Sequence, residues 1–87
     1  MTEQKQQELM QQAEYGRKAK IAKEFFEDFL LAHRVRIITT FENEEFISDD
    51  KTRMLKAELR LLRLFDNSVE RYIEEGKIAE KELSENG

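Results

Sequence analysis

From Tyr15 onward the apolar positions fall into step. Tyr15, Ala19, Ala22, Phe26, Phe29, Leu30, His33, Ile37 and Phe41 recur at intervals of three and four. At 100° per residue they share one arc, with Arg17, Lys20, Lys23, Glu24, Glu27, Asp28 and Arg34 facing away from it. This spacing predicts a first helix over residues 17–47, roughly 45 Å long at 1.5 Å per residue. Val35 to Phe41 is rich in β-branched residues and suits a strand, but a lone strand has no partner for its backbone, so the segment reads as helix. Ser48-Asp49-Asp50 forms the turn, since each is a good N-cap and acids there suit the helix dipole.

A second helix follows over residues 50–75, with Leu55, Leu59, Leu62, Phe65, Val69, Tyr72 and Ile73 as its apolar face. Gly76 sits where a C′ glycine belongs, and residues 77–83 can add a short C-terminal helix. Residues 1–14 hold all five glutamines and few apolar side chains, which predicts a frayed polar helix, with residues 1–12 dispensable for folding. Gly16 marks either a break or a place of close packing. The fold expected is all-α: an elongated antiparallel helical hairpin with short terminal helical segments in one domain over residues 1–87, self-associating.

Charge reinforces the hairpin. Turning near Ser48 places position i opposite about 97 − i, so Arg17, Lys18, Lys20 and Lys23 fall beside Glu74, Glu75 and Glu80. Residues 42–50 carry five acids and no base, and residues 51–63 carry five bases and one acid, an opposition that closes the turn.

Composition narrows the chemistry. The 87 residues contain no cysteine and one histidine, which excludes disulfides and thiol nucleophiles and argues against a transition-metal site. The longest apolar run, Phe29 to Ala32, is far short of a membrane span, and the polar opening from Met1 does not match a signal peptide. A cytoplasmic protein is expected, with no cofactor. The net charge of −4 disfavours nucleic-acid binding by the whole surface but leaves room for a local patch.

Few residues invite chemistry. His33 and Asp66 both project into apolar arcs within about one turn of each other in this register, and they are expected to form a core polar pair, with Arg34 or Arg36 as alternative partners for Asp66. The acidic cluster Glu42, Glu44, Glu45, Asp49 and Asp50 fits no calcium loop and reads as capping and solvated charge. Arg53, Lys56, Arg60 and Arg63 make a basic stripe on the polar face of the second helix, a candidate contact for nucleic acid or a protein partner. Phe25, Phe26 and Phe29 read as core. The apolar arc of the second helix spans roughly 160°, wider than one partner helix covers. Met54, Leu61, Phe65 and Tyr72 are therefore the expected oligomer interface.

Four features in sequence carry a resemblance: Gly16-Arg17-Lys18-Ala19-Lys20-Ile21-Ala22, the acidic turn Ser48-Asp49-Asp50, the Leu-rich stretch Leu55 to Leu64, and the stretch Gly76 to Leu83 that opens Gly-Lys-Ile-Ala. Over this span the chain resembles small acidic helical proteins encoded among the head and packaging genes of tailed bacteriophages. Many of those have a tryptophan near the end of the first helix; this chain has none, and Phe41 is the candidate for that place. The resemblance implies a viral setting, in the host cytoplasm or in the virion, rather than a mechanism. The expected role is a non-enzymatic protein-interaction module in phage particle assembly or DNA packaging. The alternatives are a DNA-binding packaging component similar to a terminase small subunit, or a small inhibitor of a host protein.

Overall fold

The computed structural model describes residues 1–86. Two helices account for nearly all of it: α1 spans Glu3–Asn43 and α2 spans Asp49–Asn86, packed antiparallel with no strand among the described residues. The chain is therefore an all-α helical hairpin, 61 × 21 × 14 Å along its principal axes.

Each helix starts on a hydroxyl cap. The Thr2 side chain accepts from the Lys5 backbone N–H at 3.1 Å, and the Ser48 hydroxyl accepts from that of Lys51 at 3.2 Å, each satisfying a donor the first turn leaves free. Asp49 and Asp50 then place negative charge at the start of α2. Extended backbone at Glu44 ends α1, with the Glu44 N–H still bonded to the Thr40 carbonyl. Lys51 reaches back across the loop to Glu44 at 2.6 Å, the opposition of charge expected there. Residues 35–41 are helical, and Thr40 turns its hydroxyl onto the Arg36 carbonyl.

The helix boundaries differ from the sequence expectation. α1 begins at Glu3 rather than at residue 17 and ends at Asn43 rather than at 47. α2 continues through Gly76 to Asn86, so residues 77–83 are no separate helix and Gly76 is no cap; among the described residues no glycine takes a positive φ. The N-terminal segment does not fray. Leu9 and Ala13 are buried against Ala79, with Leu83 packed beside them. The physical reason lies in the far end of the chain: because α2 runs on, it offers these few apolar residues a surface that local sequence does not reveal.

Along α2 the seam runs Leu55, Leu59, Leu62, Asp66, Val69, Ile73 and Gly76, in alternating steps of four and three, the 3.5-residue repeat of a coiled coil. On α1 the buried positions are Leu9, Ala13, Gly16 and Ile37. Gly16 and Gly76 face each other at the closest approach of the helices. A Cβ on Gly16 would lie 2.7 Å from the Gly76 Cα, and one on Gly76 would lie 2.6 Å from the Gly16 Cα. Glycine is required here by the other helix's backbone, not by dihedral angle. Since Gly16 opposes Gly76, position i faces about 92 − i, some five positions short of the expected register, because the turn centres nearer Phe46 than Ser48.

Candidate interaction surface

The two sides of the seam carry different chemistry. Tyr15 and Arg17 flank Gly16, each rotated about 100° from it in opposite senses. Arg17 goes to one side and pairs with Glu80 at 2.8 Å. Two further ion pairs join the helices on that side: Lys23 with Glu70, and Arg34 with Asp66 at 2.7 Å. The Glu70 carboxylate, through its hydrogen bond and then its charge, holds the Lys23 ammonium above the ordinary lysine range, and Glu27 and Asp66 add to the pull. All of these side chains remain well exposed, so their worth is modest.

Tyr15 goes to the other side, where the contacts are aromatic. Its ring meets Tyr72 at 6.4 Å between centroids, and Phe26 meets Phe65 edge-on at 6.4 Å. Phe25 stands edge-on to Phe26 at 5.0 Å. Phe29, one turn further along, shares this side, as do Leu61 and Met54 on α2, one turn and about three turns before Phe65. Phe25, Phe29 and Leu61 are 69%, 70% and 66% exposed. The phenylalanines are thus not core, as their helical spacing suggested. A two-helix seam has too little width to cover them, and among the described residues the buried apolar side chains are Leu9, Ala13, Ile37, Leu55 and Ala79. Of the four residues expected at an oligomer interface, Phe65 and Tyr72 make ring contacts within the hairpin and keep part of their surface open, while Met54 and Leu61 are exposed. Lys18, stacked over Tyr15 with its ammonium 5.8 Å from the ring centre, borders this face at the Gly16 end.

His33 and Asp66 do not pair. Asp66 takes Arg34, while His33 Nε2 lies 3.5 Å from a Glu58 carboxylate oxygen and its Nδ1 2.6 Å from the Arg36 guanidinium. With α2 displaced by about five positions, Glu58 rather than Asp66 lies opposite His33, and Asp66 is left to Arg34. Neither side chain is core; both are partly solvated. No polar side-chain atom among the described residues is buried without a hydrogen-bond partner.

The depressions along the seam are open troughs. One is lined by Lys23, Leu30, Arg34, Phe65, Asp66 and Val69, and another by Tyr15, Lys18, Ala22, Val69 and Tyr72. Among the described residues no group of three or more histidine and carboxylate side chains is placed to hold a metal ion, and no helix is long and apolar enough to cross a membrane. Arg53, Lys56, Arg60 and Arg63 share one exposed strip of α2, with Arg53 and Arg60 facing away from α1 and Lys56 and Arg63 on the ion-pair side, two heptads and one heptad before Glu70. Comparison with protein-family models, with curated proteins and with solved structures gives no match to this chain.

Proposed function

We propose that the protein is a non-enzymatic interaction module that works as a homo-oligomer, with the aromatic face as its contact surface. The observation that carries this reading is an excess of exposed surface. The hairpin exposes 7205 Å². A folded monomer of this mass exposes about 5,400 Å² by the usual scaling with molecular weight. The surplus has a place to go. Tyr15, Phe25, Phe26, Phe29, Met54, Leu61, Phe65 and Tyr72 are on average about half exposed. At roughly 200 Å² for a large side chain, they offer about 800 Å². That is about the contribution of one partner to a stable protein–protein interface. A second copy laying the same face on this one makes a four-helix arrangement and covers the aromatics from the side the hairpin leaves open.

The resemblance of Gly16 to Leu83 to head and packaging proteins of tailed phages suggests where such a module acts: in phage particle assembly or DNA packaging, in the host cytoplasm or the virion. The open troughs and the solvated His33 support a binding role over a catalytic one, since general acid–base chemistry works best in a closed pocket.

The test is substitution on the face. Phe29→Glu and Leu61→Glu place charge where the second copy sits without touching the seam. Each should lower the solution mass toward that of one chain while helical circular dichroism is retained. An unchanged mass in both variants contradicts the reading.

A further inference from the structure

The outer surface of α2 is more basic than a chain of net charge −4 suggests. Between Lys51 and Ile73 the only acids are Glu58, Asp66 and Glu70. All three are turned toward α1: Glu58 to His33, Asp66 to Arg34 and Glu70 to Lys23. What remains on the outside is a row of exposed side chains at steps of three and four: Arg53, Lys56, Arg60, Arg63, Asn67 and Arg71. None of the five cations makes an ion pair among the described residues. The row is straight and about 27 Å long at 1.5 Å per residue. Glu74 closes it at its C-terminal end.

We infer that this row binds the phosphodiester backbone of nucleic acid without reading sequence. Four of its five cations are arginines, whose planar fork matches phosphate oxygens two at a time. Five unpaired positive charges in a line meet a polymer that carries evenly spaced negative charge along its own length. Glu58, Asp66 and Glu70, the acids nearest the row, are each engaged by a side chain of α1. An acidic loop of another protein presents its charges in a cluster and uses only part of such a row. The row lies on the outer surface and ion-pair side of α2, and the aromatic face lies on the other side of the seam, so self-association leaves the row open.

The experiment is fluorescence anisotropy of a labelled duplex DNA of mixed sequence, titrated with the full chain at 50 and 200 mM salt. Engagement of about five phosphates predicts that affinity falls by roughly 500-fold between those concentrations. Arg60→Glu/Arg63→Glu should weaken binding at least tenfold at 50 mM salt with the melting temperature little changed, since neither side chain makes an ion pair among the described residues. If that variant does not fold, Arg60→Gln/Arg63→Gln serves, with a smaller loss in the same direction. Lys5→Glu/Lys20→Glu changes net charge equally but lies off the row, and it should bind nearly as the unaltered protein does. Absence of binding at 50 mM salt overturns the inference. So does an equal loss in the off-row variant, which would show that net charge decides. Displacement of the DNA by polyglutamate at equal charge concentration would assign the row to acidic protein instead.

Discussion

Gly16 and Gly76 meet backbone to backbone, so that a methyl on either would lie within 2.7 Å of the other's Cα. Alanine normally stabilises a helix over glycine by about 1 kcal/mol. Here the sign reverses, because a Cα cannot move aside as a side chain can, and the helices must part. Gly16→Ala and Gly76→Ala should each destabilise by about 1–3 kcal/mol, the range for forced overpacking. In thermal unfolding at fixed protein concentration that is a drop of about 4–8 °C per kcal/mol. The double variant should cost less than the sum, since the first methyl already opens the contact. A gain in stability from either alanine would show that the helices do not touch there.

The N-terminal segment belongs to the fold. Leu9 is 2% exposed and Ala13 3%, both against Ala79. Deleting residues 1–12 should lower the melting temperature clearly, and Leu9→Ala alone should cost about 2 kcal/mol or more, as for other buried leucines. Differential scanning calorimetry decides it: an unchanged transition on deletion would mean that the segment is an unattached extension.

Arg34, not His33, should couple to Asp66. A mutant cycle of Arg34→Ala with Asp66→Ala should return a coupling of about 0.2–1 kcal/mol, as for other partly exposed pairs. The cycle of His33→Ala with Asp66→Ala should be additive within about 0.5 kcal/mol. Coupling in the second cycle and none in the first would restore the register that the sequence alone suggested.

Lys23 gives the hairpin an alkaline signature. Its folded-state pKa is raised by Glu70, so the folded chain holds this proton more tightly than the unfolded chain does. The resulting stability is complete below the ordinary lysine pKa and is lost as pH rises through the folded value. Glu70→Gln should therefore make the decline in melting temperature above about pH 10 shallower, with no change in pH dependence near neutrality. An identical alkaline decline in both proteins would show that the pair does not form in solution.

The hairpin itself was legible because Leu55, Leu59, Leu62 and Ile73 keep a helical period on one side of a good turn. The N-terminal packing was not, because Leu9 and Ala13 gain their burial from Ala79 and Leu83, far away in sequence. Gly16 and Gly76 each read singly as a breaker or a cap, and only their pairing in space gives them a structural role. The same distinction governs the surface. Helical spacing of Phe25, Phe26 and Phe29 says that they share a face but not whether anything covers it. The basic residues of α2 were visible as a stripe, whereas the α1 side chains that engage Glu58, Asp66 and Glu70 depend on the register, which differs from the expected one by about five positions.

Sedimentation equilibrium of the unaltered protein decides whether the aromatic face joins two copies. One chain weighs 10.4 kDa. At tens of micromolar a mass of at least twice that is expected, insensitive to added salt because the proposed contact is apolar. A single species at 10.4 kDa up to several hundred micromolar would contradict self-association through this face.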